Sequence, residues 1–281
     1  MSGHGHGAPP PMPPRRRRHW LALLAAGWAV ALLAAAAMSA HTGRATVREQ
    51  RDVADADTVV DLTVGEIAAA AAATAPLLRI SADQITPGCR ITPVRDGIEL
   101  RRTLQFAAGS MNSMTLTGIA RALPQRFKAA TVTDTAGRIG LRADAGEFVA
   151  VDGVVDDDGT VTVTVSSGCR PRAPLTPTPS VDAAAQTSVA PLLTAMTAHP
   201  SQLSVAQATC PGGGVVRTVT AQAITDAGDR PALRDALIAP ARGAVSIIDR
   251  SDVFAYQRGS ITVLVQRRDT RLDVSVTASC P

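Results

Sequence analysis

The chain has 281 residues, enough for two domains of ordinary size, and with 46% hydrophobic residues it is not generally disordered. Its formal net charge of +4 resides entirely in Arg15, Arg16, Arg17 and Arg18; beyond residue 40 acids and bases balance at 24 each. A neutral region of that size has no electrostatic footprint for a phosphate backbone, which sets aside a nucleic-acid partner.

Residues 1–19, MSGHGHGAPPPMPPRRRRH, are too short and too rich in Pro and Gly to form a folded module. His4 and His6 belong to this tail. From Trp20 to Ala40 no residue is charged, and as a helix this stretch reaches about 31 Å, the thickness of a bilayer's hydrocarbon core. The arginine run just before it places the tail in the cytoplasm and everything after residue 40 outside, a single-pass plasma-membrane topology. Ala37, Ser39 and Ala40 also suit signal peptidase, so a cleaved signal peptide is the competing reading of the same segment. Heavy use of Ala, Arg, Gly and Pro resembles envelope proteins of high-GC bacteria, a likeness of composition alone.

Residues 41–62 carry three arginines and five acids and are expected to be a stalk. Thr63-x-x-Glu66 has the spacing of a capping box ahead of an Ala-rich helix running toward Pro76. Residues 98–106 alternate, with Ile98, Leu100, Leu104 and Phe106 on one face and Glu99, Arg101, Thr103 and Gln105 on the other, the pattern of a half-buried strand. Leu116, Ile119, Ala120, Leu123 and Phe127 fall at helical spacing. Phe148–Val151 and Val161–Val165 predict a hairpin, with Asp156-Asp157-Asp158-Gly159 as its turn rather than a calcium loop, whose spread of oxygens and distant acid are missing.

The pattern then recurs. Ala75-Pro76-Leu77-Leu78 matches Ala190-Pro191-Leu192-Leu193, Cys89 matches Cys210, residues 100–104 match 215–219, and VTVTVSSGCRP matches LDVSVTASCP. The order is kept, which predicts a duplicated module. Module 1 spans 63–170 and module 2 spans 181–281, joined by a Pro/Thr linker at 171–180 expected to be an extended spacer. In module 2 a helix is expected to start at Asp229-Arg230-Pro231, and Ile261–Val265 with Leu272–Val276 predict the closing hairpin. Each module follows α-β-α-β-β-β, an α+β fold with an antiparallel sheet and helices on one face.

Each copy holds two cysteines, expected before its first strand and after its last. Duplication selects Cys89–Cys169 and Cys210–Cys280 among the three connectivities, since each copy once folded alone, and an exported location favours oxidation. No CxxC or nearby His suggests a metal.

The chemistry expected from these residues is binding rather than catalysis, with no cofactor. Beyond the membrane segment the only histidines are His41 and His199, too few to supply bases for a serine triad. HExxH, GxSxG, P-loop and GxGxxG patterns do not occur, and Pro211-Gly212-Gly213-Gly214 is explained by a turn. Both tryptophans lie in the apolar segment, away from any exported sugar site. What stands out is Arg102 and Arg217, which hold matching positions and interrupt the apolar face of the first strand in each copy. One reading gives each arginine a stem packed on the core and a head in solvent; the other has both lining a recess and gripping an anionic group. The resulting expectation is a non-enzymatic, membrane-tethered binding or scaffolding protein of the cell envelope with a protein partner. The alternative is a small-ligand or lipid carrier with a pocket between helix and sheet.

Overall fold

The computed structural model describes residues 16–42, 51–92, 95–107, 112–225 and 232–281. The tail with His4 and His6, residues 43–50 of the expected stalk and the expected helix start at Asp229–Pro231 lie outside the described residues. The chain forms two units, 1–46 and 47–281.

In the first unit, α1 (Arg16–Thr42) is a single helix. Its segment Trp20–Met38 is long and apolar enough to cross a membrane or to act as a signal anchor, and its large apolar side chains, Trp20 and Trp28 among them, are exposed. An uncapped apolar surface of this kind is stable in lipid, where helical hydrogen bonding satisfies the backbone.

The second unit begins with α2 (Val53–Ala71). The helix starts ten residues before Thr63, so residues 53–62 of the expected stalk are helical. The reason is local: the Asp52 carboxylate accepts the amides of Ala54 and Asp55 at 3.0 and 3.1 Å, capping the first turn. Thr63 is buried in mid-helix, and Glu66 pairs with Arg126 instead of closing a capping box. Val53, Ala56, Val60, Val64, Ile67 and Ala71 form the buried stripe.

Sheet A contains β1 (Leu77–Ile80), β2 (Gln84–Thr92), β3 (Arg95–Ala107), β4 (Ala130–Thr133), β5 (Ile139–Asp144), β6 (Ala150–Val155) and β7 (Thr160–Arg170), with α3 (Asn112–Ala122) between β3 and β4. Its order is β1-β3-β7-β6-β5-β4, with β2 also on β3, and every pairing is antiparallel. Ile98, Leu100, Leu104 and Phe106 are buried, as the alternation predicts. The Asp156–Gly159 segment is the β6–β7 turn: the Gly159 amide donates to the Asp156 carbonyl, and Gly159 takes a φ of +79° that a side chain would resist.

Sheet B contains β8 (Ala198–Thr209), β9 (Val215–Thr225), β10 (Val245–Asp249), β11 (Val253–Arg258), β12 (Ile261–Arg268) and β13 (Arg271–Ala278). α4 (Ala183–Ala195) precedes it and the short α5 (Leu233–Ala236) follows β9. The order is β10-β11-β12-β13-β9-β8, strand for strand that of sheet A apart from one additional edge strand there. The sheets thus have seven and six strands, where four per module were expected. Pro211–Gly214 is the β8–β9 turn, closed by the Cys210 amide on the Gly214 carbonyl at 3.1 Å.

Both expected disulfides are present, Cys89–Cys169 and Cys210–Cys280. Their places differ from expectation in both halves: Cys89 and Cys169 lie inside β2 and β7, and Cys210 follows β8, the first strand of sheet B, while Cys280 alone comes after the last strand, β13, as expected. Two of the matched sequence segments also do different work. Leu77-Leu78 opens strand β1, while Leu192-Leu193 lies inside α4.

The two sheets do not stand apart. Ala206, Ala208, Cys210 and Val216 of sheet B belong to the core formed by α2, α3 and sheet A, and Leu78 and Ala107 pack against Val253, Ala255 and Leu264. A Cβ on Gly65 would lie 1.8 Å from the Thr209 carbonyl oxygen, so α2 approaches β8 closer than any other residue there allows. Thr218 and Thr277 join the sheets further: Thr218 accepts the Ile80 amide at 3.0 Å and Thr277 donates to the Leu78 carbonyl at 2.8 Å. The linker is likewise docked, with Ala173 and Leu175 against the first core and the Pro171 carbonyl accepting the Val53 amide. It is extended, as its prolines dictate, but packed along α2 rather than standing free.

Candidate functional site

A cleft of about 250 Å³ opens where α2, β3, β8 and the linker meet. α2 contributes Asp57, Thr58 and Asp61; the segment after β1 contributes Asp83; the linker contributes residues 176–179; β8 contributes residues 205–209. Arg102 lies at its centre, with its side chain 5% exposed.

Helical geometry explains the acids. Asp57 and Asp61 are four residues apart and therefore project from one side of α2, and Asp57 is 9% exposed on the helix's buried face. Arg102 projects from the same face of β3 as Leu100 and Leu104, directly under α2. Its Nη1 lies 3.1 Å from Asp61 Oδ1, its Nε 3.4 Å from Asp83 Oδ1, and its Nη2 donates to the Gln207 carbonyl at 2.5 Å. Asp61 reaches onward with its other oxygen, accepting the Thr209 amide at 3.2 Å and hydroxyl at 2.8 Å. One ion pair thereby ties α2 and β3 to β8.

Asp61 and Asp83 share one guanidinium, and Asp57 lines the same recess without pairing to it. Burial raises the Asp83 carboxyl above its ordinary range; Arg102 opposes that rise, while Asp57 and Asp61 add to it. Asp57 itself has one distant backbone partner, the Thr176 amide at 3.4 Å from Oδ2, and among the described residues no cation pairs with it.

Of the two arginines singled out in the sequence, Arg102 lines this recess and Arg217 does not. The solvent-facing head expected for Arg102 is overturned: its guanidinium is buried and hydrogen-bonded to Asp61 and the Gln207 carbonyl, with Nε 3.4 Å from Asp83 but making no hydrogen bond. Arg217, with a side chain 29% exposed, donates to Asp182 at 2.9 Å, the residue that also caps α4 through the Ala185 amide. Both arginines pair with an aspartate of the helix over their sheet, yet their positions are not equivalent. Arg102 faces Val165, four residues before Cys169, whereas Arg217 faces Ala278, two before Cys280. The structure therefore brings Arg102 to the cleft together with Asp57, Asp61 and Asp83, which the sequence reading passed over. A signal was present for two of them: acids four apart within the Val53, Val60, Val64 stripe are out of place on a buried helix face.

No family model matches this chain. No curated protein is significantly similar to it either.

Proposed function

We propose that this chain is a membrane-tethered, extracytoplasmic binding or scaffolding protein of the bacterial cell envelope, non-enzymatic, whose site is the cleft beside Arg102. The observation that carries the reading is the charged recess held open at the junction of two sheets, with its walls fixed by Asp61, Thr209 and the docked linker. The apolar α1 supports the tether, with Arg15–Arg18 keeping the N-terminus in the cytoplasm, and two disulfides suit an oxidising compartment. The shared strand order of the sheets supports a duplication of one module. On this reading the copies have merged into one body, and the binding site arose at the seam. Arg102 acts there as the group that positions Asp61 and Asp83, and the partner is a protein of the envelope.

The carrier reading has one observation in its favour, a groove of about 470 Å³ between α5 with its following turn and sheet B, floored by Phe254 and Tyr256. In-cell photo-crosslinking separates the two. A crosslinker at Thr58, on the cleft wall, is expected to trap an envelope protein, and Asp57→Asn is expected to abolish the adduct. A lipid adduct from Ile238, with none from Thr58, would overturn the cleft reading in favour of the carrier.

A further inference from the structure

We infer that the cleft takes a cationic group on an alkyl stem, an ammonium or guanidinium that seats against Asp57. The inference rests on the cleft being the binding site and names its ligand class. Charge is the first argument. Asp57, Asp61 and Asp83 against Arg102 leave the recess two negative charges in excess. An anionic group would enter against that excess, and both terminal nitrogens of Arg102 already donate, to Asp61 and to the Gln207 carbonyl, while Nε lies 3.4 Å from Asp83 without a hydrogen bond.

Asp57 supplies the second argument. It is nine-tenths buried on the cleft wall, its one hydrogen bond is longer than the usual 2.7–3.2 Å range, and among the described residues nothing bonds its Oδ1, which opens onto the cleft. A buried carboxylate is costly without a counter-charge, and Arg102 is committed to the other two acids. An entering cation would supply what Asp57 lacks.

Size and walls define the rest. A space of about 250 Å³ admits a side-chain-sized group rather than a large ligand. Ala82, Pro177, Pro179, Val205 and Val215 give the recess apolar flanks suited to a methylene stem. A bare metal ion fits less well, because among the described residues no three acids converge at a metal-ligating distance. Such an alkyl cation could come from a free amine or from a lysine or arginine of a protein partner; the chemistry is the same.

The test is equilibrium dialysis of the full chain in detergent micelles against radiolabelled butylguanidinium at pH 7 and fixed ionic strength. Expected is one equivalent bound, displaced by n-butylamine but not by acetate, with affinity reduced about tenfold in Asp57→Asn, the loss of one charge-assisted contact. Asp144→Asn, an exposed carboxylate at the end of β5 and outside the cleft, is expected to bind normally and serves as the control for folding and bulk charge. A capped Ala-Arg-Ala peptide competing as well as butylguanidinium supports a protein side chain as the source; competition by free amines alone supports a small ligand. Binding of acetate or inorganic phosphate, lost in Arg102→Lys, would overturn the cationic assignment while leaving the cleft as the site. Stoichiometric binding of calcium would overturn it in favour of a metal. No binding by any probe would overturn both the assignment and the cleft.

Discussion

Arg102 and Arg217 begin alike, each an arginine on the helix-covered face of the second or third strand of its sheet, and end in different worlds. Arg217 meets the N-cap aspartate of α4 at a half-open edge. Arg102 meets an aspartate nine residues into α2, because that helix is capped early, at Asp52, and runs on past its own sheet to lean on β8. The lesson is that an identical pairing rule, sheet arginine to helix aspartate, makes either a surface contact or a buried seam, and helix length decides which. α4 packs on β8, β9 and β13 of its own sheet, and Arg217 keeps a side chain 29% exposed where that of Arg102 is 5%.

The largest expected effect breaks that contrast directly. Arg102→Met leaves Asp61 and Asp83 facing one another without a cation, and losing one partner of a buried pair costs about 3–5 kcal/mol. For a unit of this size the melting temperature is expected to fall by about 10 °C. Arg217→Met, which removes an exposed pair, is expected to lower it by no more than about 2 °C. Equal losses in thermal melts of the two variants would erase the distinction between the sites.

The disulfides sharpen the same asymmetry at a smaller scale. Each closes a long loop, of 80 or 70 residues in sequence separation, and its removal is expected to cost about 3 kcal/mol. Cys210 lies in the core of α2 and sheet A, so replacing Cys210 and Cys280 by serine is expected to speed amide exchange in α2 as well as in sheet B. Replacing Cys89 and Cys169 is expected to act on sheet A and spare β11–β12. An α2 untouched by the first pair would mean the modules are energetically separate.

Gly65→Ala probes the contact itself. Its Cβ has no room against the Thr209 carbonyl, and overpacking of this kind costs about 1–3 kcal/mol. A loss of about 5 °C is expected; an unchanged melt would show that α2 does not bear on β8 at this point.

The smallest effect has the opposite sign. The folded Asp83 carboxyl is raised, first by burial, so the folded state holds that proton more tightly than the unfolded chain. Its ionisation therefore subtracts from stability at neutral pH, and stability is regained as the pH falls through the raised value. Asp83→Asn is expected to raise the melting temperature at pH 7 by about 1 °C and to lose this advantage toward pH 4. A variant less stable than the parent at pH 7 would mean the Asp83–Arg102 attraction outweighs burial.

How much of this was legible in the sequence differs between the pieces. The apolar helix, the alternation of β3, the Asp-Gly turn and the cysteine pairing were, because each depends on neighbours in sequence or on a simple count. The start of α2 was missed because Thr63-x-x-Glu66 imitates a cap, while Asp52 provides a better one with Asp55, rather than the Glu or Gln of a capping box, at the third position. A repeated pattern was legible, but not how it maps onto the two sheets: matched words such as Ala-Pro-Leu-Leu fall on a strand in one place and a helix in the other, and it is the strand order that the sheets share. The cleft was the least legible part, because its walls come from segments more than 100 residues apart, Asp61 and Thr209 among them. Arg102 was visible as a charge on an apolar face; the acids that surround it could be placed only once α2 was known to cross to β8.

The seam at Arg102 is tested most directly by hydrogen–deuterium exchange of the full chain in micelles, comparing the parent with Arg102→Met. If Arg102 holds the cleft, exchange is expected to accelerate together in residues 53–61 of α2, which packs on sheet A, and 205–209 of β8 in sheet B, while β11 and β12 keep their protection. Acceleration confined to β3 and its sheet neighbours, with β8 unchanged, would contradict the account.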